Sequence, residues 1–105
     1  MSDNTYTLEQ IKEIIAPIAE RHGVDRVYLF GSYARGEATP QSDIDLCIDA
    51  AAIRGMFAMG GLYADLEEAL HKRLDIVTVR SLKYNTDEQF LNNMQRDRVM
   101  IYEAA

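Results

Sequence analysis

Two neighbouring segments are the most informative part of this sequence: Leu29-Phe30-Gly31-Ser32-Tyr33-Ala34-Arg35-Gly36 and Ser42-Asp43-Ile44-Asp45-Leu46. Gly31 and Ser32 directly follow Val27–Phe30, a short apolar run that predicts a buried strand. Because glycine has no Cβ, the backbone at Gly31 can approach a ligand closely. If a helical turn begins at Ser32, its free N–H groups and the serine hydroxyl are suited to phosphate oxygens.

The second segment alternates polar and apolar residues, which predicts another strand. Asp43 and Asp45 would then project from the same face, where they repel each other unless a cation lies between them. Mg²⁺ is the natural cation for such a site. Asp75 lies in the apolar run Leu74–Val79 and would join them if that strand pairs beside theirs. Three carboxylates so placed would suit two-metal phosphoryl transfer, with Asp75 as a metal ligand or proton acceptor.

Each of these features also has a plainer explanation when it is taken alone. A Gly-Ser pair after a strand can be an ordinary turn, and Arg35 can be a solvent-facing charge on a polar loop. Asp75 can pair with a neighbouring basic residue, Lys72 or Arg73. The joint spacing, rather than any single residue, favours the metal-binding interpretation.

The rest of the chain predicts helices and strands in alternation. A capping box at Thr7–Gln10 begins the first helix, and a similar pattern at Thr86–Gln89 begins the last one. Residues 62–73 predict an amphipathic helix, whereas the glycines within residues 50–61 leave that segment ambiguous. A final strand is expected over residues 99–102. This order predicts an α/β or α+β fold built on a small sheet, with residues 1–105 as a single domain.

Composition excludes several functional classes. The 105 residues carry 11 Lys+Arg against 17 Asp+Glu, a net charge of −6, which argues against direct nucleic-acid binding. A single cysteine, Cys47, excludes an internal disulfide, and no apolar run approaches the length of a membrane span. The polar N-terminus does not resemble a signal peptide. We therefore expect a cytoplasmic protein with no membrane anchor.

The spacing of Gly31-Ser32, ten residues and then Asp43-Ile44-Asp45 resembles the signature of the polymerase-β nucleotidyltransferase superfamily, in particular its minimal nucleotidyltransferase (MNT) branch. The similarity extends over nearly the whole chain, including Asp75 in its apolar strand. It implies a mixed sheet flanked by helices, with ATP as donor and a two-metal Mg²⁺ site at the mouth of the sheet.

By position, the resemblance assigns the triphosphate to Gly31 and Ser32, with Arg35 and Ser42 as weaker candidates for phosphate contacts. It assigns the metals and the catalysis to the three carboxylates, Asp43, Asp45 and Asp75.

Small members of the MNT branch are often antitoxins paired with a HEPN-domain ribonuclease toxin. The resemblance therefore implies a protein adenylyltransferase that transfers AMP to a tyrosine hydroxyl of such a toxin. The length of the chain leaves no room for a further acceptor-binding domain, so we expect the acceptor site to come from another chain. Two alternatives stay open: an antitoxin that neutralises its toxin by binding alone, and a nucleotidyltransferase acting on a small molecule or RNA end held by a separate helical subunit.

Overall fold

A four-stranded mixed sheet forms the centre of the computed structural model, which describes residues 5–105. The strands are β1 (Arg26–Phe30), β2 (Ile44–Asp49), β3 (Leu74–Thr78) and β4 (Val99–Glu103). The helices are α1 (Leu8–Arg21), α2 (Gly31–Arg35), α3 (Gly55–Leu70), α4 (Val79–Leu82) and α5 (Glu88–Asp97). Residues 1–4, on which the expectation about a signal peptide largely rests, lie outside the described part. Among the described residues, no helix is both long enough and apolar enough to cross a membrane.

The strands lie in the order β3-β2-β1-β4. β1 pairs antiparallel with both β2 and β4, whereas β2 and β3 are parallel. Parallel strands need a crossover connection, and α3 forms it here. The mixed sheet flanked by helices that the family resemblance implied is thus confirmed.

The two faces of the sheet are covered unequally. On one face α1 and α3 bury the main core, whose members include Ile11, Ile15, Leu29, Leu46, Leu62 and Leu66. On the other face a smaller cluster forms around Phe30, Cys47 and Met94, where the Phe90 ring of α5 packs edge-on against Phe30 at 6.0 Å between ring centroids. Alternation along β2 directs Ile44 and Leu46 to the main core, and therefore Asp45 to the less covered face.

The capping box predicted for α1 is confirmed, because Gln10 N donates to Thr7 Oγ1 at 3.1 Å and Thr7 N donates to Gln10 Oε1 at 2.8 Å. The glycines of the ambiguous segment do not interrupt α3, which begins at Gly55. Its buried leucines anchor the helix to the core, and this tertiary packing outweighs the low helix propensity of glycine. The helix ends at Leu70, three residues earlier than predicted, because His71 adopts a left-handed conformation with φ 53°.

Two boundaries near the C-terminus also differ from the sequence prediction. The Thr78 hydroxyl accepts a hydrogen bond from Ser81 N at 3.1 Å and so begins the short helix α4 directly after β3. The last helix is capped by Asp87 rather than Thr86, since Phe90 N donates to Asp87 Oδ1 at 3.1 Å. Asx and Thr side chains compete for the N-cap position, and propensity alone did not distinguish them.

Gly31 joins β1 to α2 at the point where the chain comes closest to β2. Its φ is 74°, and a Cβ built there would lie 2.9 Å from Asp45 Cγ and closer still to Asp45 Oδ2. The preceding residue, Phe30, pairs with Asp45 in the sheet, and Tyr33 is buried in the main core, which holds α2 against the strands. Only glycine therefore fits at this turn while the Asp45 carboxylate keeps its position.

A matched pair of glycine variants tests this close approach. Gly23 has a similar φ of 73° but open space around its Cβ position, so Gly23→Ala should lose about 1 kcal/mol of unfolding free energy from backbone strain alone. Gly31→Ala adds a steric collision and should lose about 1–3 kcal/mol more in urea denaturation. In an Asp45→Ala background, the additional loss of unfolding free energy caused by Gly31→Ala should shrink, because the colliding carboxylate is gone. Equal losses for both glycine variants in the otherwise unchanged protein would contradict the close approach.

Candidate active site

Asp45 and Asp75 are direct neighbours on the parallel strands β2 and β3, where their Cα atoms are register partners. Adjacent strands lie about 4.8 Å apart, and register partners on parallel strands project to the same face. Asp43 lies two positions before Asp45, but β2 begins only at Ile44, so Asp43 precedes the strand that the sequence predicts to contain it. The condition set for Asp75, that its strand pairs beside that of Asp45, is thus met.

The two neighbouring carboxylates, Asp75 and Asp43, affect the ionisation of Asp45. Burial raises the pKa of Asp45 from its ordinary value of 3.8 to about 6, and the negative charges of Asp75 and Asp43 add to that increase. Arg35 is near enough to oppose it. The folded protein therefore favours a proton or another positive charge at Asp45.

The donor set fits a divalent cation that binds together with its substrate. Within residues 5–105, no three His, Cys, Asp or Glu side chains come together closely enough to form an ion site by themselves. Mg²⁺ typically keeps several waters and binds through one or two carboxylates plus substrate phosphates, so a complete protein cage is not required. The negative charges of Asp75 and Asp43 beside Asp45 supply the negative electrostatic potential that such an ion needs.

The candidate phosphate-binding residues lie beside this carboxylate group. The Gly31 backbone borders the Asp45 carboxylate, and Ser32 follows it in the first turn of α2. In the part of the chain that the structure describes, the Ser32 side chain makes no hydrogen bond, so its hydroxyl is free to meet a ligand. The turn into α2 therefore lies directly beside the Asp45 carboxylate.

Arg35 and Ser42 both have protein partners in this structure. The Arg35 guanidinium donates to Glu37 Oε1 at 2.9 Å and to Asp97 Oδ2 at 3.4 Å. The Ser42 hydroxyl accepts from Thr39 N at 2.9 Å and so closes the turn before β2. Their use as phosphate contacts stays a prediction, and for Arg35 it would require the exchange of an ion-pair partner.

An open cleft of about 550 Å³ lies beside Asp43, between the loop before β2 and the residues that lead into β3. It was not predicted from the sequence. It is lined by residues 40–43 and by Glu67, His71, Lys72 and Arg73. We call it the β3-side cleft. The sequence carries one signal for it, the run of basic residues 71–73 just before Asp75, of which Lys72 and Arg73 are the alternative ion-pair partners of that aspartate. Arg73 forms no such pair in residues 5–105, and the Lys72 ammonium donates to the Pro40 carbonyl at 2.7 Å.

Comparison with known proteins gives the family of this fold and site. The model of the family described as polymerase beta, nucleotidyltransferase, matches residues 9–105. The protein adenylyltransferase MntA of Thermococcus cleftensis is 40% identical over 81 residues, which are 73% of this chain and 82% of that protein.

Two solved structures share the fold at lower sequence identity. A toxin–antitoxin complex with AMP-PNP superimposes with a TM-score of 0.70 at 24% identity, covering 89% of this chain and 73% of the matched one. A complex of tri-AMPylated Shewanella oneidensis HEPN toxin with its MNT antitoxin gives a TM-score of 0.65 at 21% identity, covering 93% and 74%. The family model and the sequence relative together establish that this chain belongs to the polymerase beta nucleotidyltransferase family.

Proposed function

We propose that this chain is an ATP- and Mg²⁺-dependent protein adenylyltransferase that acts as an antitoxin by transferring AMP to a tyrosine hydroxyl of a cognate HEPN ribonuclease toxin. The observation that carries the proposal is the adjacency of the Asp45–Asp75 pair to the Gly31 turn. The similarity to an MntA protein adenylyltransferase, and the fold shared with an AMPylated toxin–antitoxin complex, support the choice of donor and acceptor.

The proposed roles follow from position. Gly31 and Ser32 hold the triphosphate, because the turn without a Cβ brings the Gly31 backbone against the Asp45 carboxylate, and the Ser32 hydroxyl has no hydrogen-bond partner within residues 5–105. Asp43 and Asp45 hold the metal ions together with substrate oxygens, and Asp75 completes the carboxylate group from β3. Bound Mg²⁺ would neutralise charge on the triphosphate and lower the pKa of the acceptor hydroxyl.

The reaction is an in-line displacement at the α-phosphorus of ATP. The acceptor oxygen forms a new bond to that phosphorus, the bond from it to the bridging oxygen breaks, and pyrophosphate leaves with the bonding electron pair. Asp75 lies on β3, the edge strand of the sheet, and is exposed. This position suits it to receive the hydroxyl proton from an incoming acceptor. The products are an AMP–protein phosphodiester and pyrophosphate.

Neutralisation by binding alone is a second candidate function, and one surface feature favours it. Met56 and Phe57, in the first turn of α3, are 92% and 98% exposed. Exposed apolar side chains of this size are typical of protein contacts. They lie near the C-terminal end of β2, far from Asp43 at its other end, so a partner could dock there without reaching the carboxylates.

The chemistry is tested by intact-mass measurement of the neighbouring-gene partner after incubation with this protein, ATP and Mg²⁺. We expect an AMP-sized increment that disappears with the Asp43→Asn/Asp45→Asn variant, because the metal ligands are lost. Asp49→Asn is the matched control, because Asp49 lies on the same strand and face but at the end remote from the site. Its carboxylate pairs with the Arg26 guanidinium at 3.2 Å, and the variant should retain AMP transfer. An inhibited but unmodified partner, with inhibition unchanged in the double variant, would favour binding alone and contradict the proposal.

The charge conflict at Asp45 predicts a pH-dependent stability effect. Since folding raises this pKa from 3.8 to about 6, ionisation of Asp45 destabilises the folded state as pH rises through that interval, and the loss persists at higher pH. Asp45→Asn should therefore be more stable than the unchanged protein at pH 8 in chelator. We expect a gain on the order of 1 kcal/mol, discounted for partial solvent access, or a few degrees in Tm.

That difference should vanish near pH 4, where Asp45 is protonated in the folded state. Mg²⁺ at pH 8 should also narrow it, because the ion stabilises only the protein that keeps the carboxylate. Thermal denaturation followed by circular dichroism measures all three conditions. A lower Tm for Asp45→Asn than for the unchanged protein at pH 8 without metal would contradict the prediction, because it would show that the ionised Asp45 carboxylate stabilises the fold.

A further inference from the structure

We infer that the β3-side cleft is the acceptor subsite of this enzyme, where His71 and Arg73 bind an anionic group carried by the acceptor polypeptide. The inference rests on the proposed function and adds to it a binding site and the chemistry of its ligand. The cleft has a volume of about 550 Å³ and shares Asp43 with the carboxylate site.

The geometry of in-line displacement places the acceptor on this side. Gly31 and Ser32 follow β1, the residues 71–73 lead into β3, and β2 lies between the two strands. At the usual strand spacing, the two positions are therefore about 10 Å apart. The entering oxygen and the leaving pyrophosphate must lie on opposite sides of the α-phosphorus. With the triphosphate at Gly31 and Ser32, the acceptor hydroxyl arrives from the β3 side of Asp45, where Asp75 lies. The cleft is lined by Asp43 but not by Asp75, and it opens beside that path at the start of β3, where α3 ends.

Two basic residues of the cleft, His71 and Arg73, are available to a ligand. His71 and Arg73 are both exposed, and within residues 5–105 neither side chain makes a hydrogen bond or an ion pair. Most other exposed guanidinium groups differ in this respect, as Arg26 and Arg35 each contact two carboxylates. An exposed, unpaired guanidinium beside a cleft is suited to carboxylate or phosphate oxygens.

The backbone at His71 is unusual. His71 is the only non-glycine residue with positive φ among those described, at 53°, a conformation that glycine adopts with less strain. The residue ends α3 and brings its imidazole to the cleft, while the Lys72 ammonium, which donates to the Pro40 carbonyl at 2.7 Å, ties this turn to the loop before β2. The position thus carries a functional side chain where the backbone alone would favour glycine.

The cleft has acidic as well as basic residues in its lining, and the two kinds favour different groups of a ligand. Asp43 and Glu67 would repel an anion, so the anionic group is directed to His71 and Arg73 while a neutral hydroxyl can approach Asp43. Two sources could supply the anion: an acidic side chain of the unmodified acceptor, or the phosphate of a nucleotide that an earlier transfer attached. The first would assist the first transfer, and the second would assist only later ones.

The test compares His71→Asn/Arg73→Gln with the unchanged protein in steady-state transfer to the neighbouring-gene partner. Asparagine tolerates the left-handed backbone, so the variant removes the imidazole and the guanidinium and keeps the turn. We expect the KM for the partner, and the Kd of the complex by calorimetry, to rise about five- to tenfold, with kcat and the KM for ATP within about twofold. Arg80→Gln, an exposed arginine just after the far end of β3, is the control and should change none of these values.

The time course of product masses separates the two sources of the anion. A slower first transfer indicates an acidic side chain on the acceptor, and a slower later transfer alone indicates a previously attached phosphate; either supports the subsite. A raised KM for ATP with an unchanged partner KM, or no effect on either, would overturn it.

Failure of the proposed function has a different signature. If the unchanged protein binds the partner without transferring AMP, then the function is wrong, and a weaker Kd for the double variant still supports the anionic contact. If that Kd is unchanged, or if the unchanged protein neither binds nor modifies the partner, the inference is overturned.

Discussion

The candidate site depends on one steric constraint, the approach of the Gly31 backbone to the Asp45 carboxylate. A Cβ at Gly31 would overlap that carboxylate, so the turn from β1 into α2 can close only with glycine. Closing the turn brings the first residues of α2 next to the carboxylate, and the buried Tyr33 holds them there. The backbone proposed to bind phosphate and the side chain proposed to bind metal thus become neighbours although they belong to different elements of the chain.

The same arrangement has an electrostatic consequence. Parallel pairing of β2 with β3 places Asp75 beside Asp45, and the pKa of Asp45 rises because burial and like charge both disfavour its ionised form. Such conflict lowers the stability of the fold and is typical of functional sites. The main core under α1 and α3, which seals the opposite face of the sheet, provides the packing that allows the conflict to persist. In the proposed reaction, the donor phosphates and the acceptor lie on opposite sides of Asp45.

Much of this could be predicted from the sequence because it depends on local spacing. The Gly31-Ser32 turn and the capping box at Thr7 follow from chain periodicity and cap chemistry, whereas Asp43 lies just before β2 and not within the predicted strand. The pairing of Asp75 with Asp45 was a conditional expectation, since strand order is set by the crossover and not by either strand. The start of α3 was unpredictable because buried leucines, distant in sequence from their partners, outweigh its glycines. The β3-side cleft was missed because it joins the loop before β2 to the end of α3, which no local pattern brings together.

The central claim is that the Gly31 turn and the carboxylates act as one metal-dependent nucleotide site. Calorimetric titration with AMP-PNP measures this directly, without any partner protein. We expect binding in Mg²⁺ that weakens at least tenfold in chelator, and an equal weakening for Asp45→Asn with Mg²⁺ present. Binding of the same affinity with and without Mg²⁺, unaffected by Asp45→Asn, would contradict it.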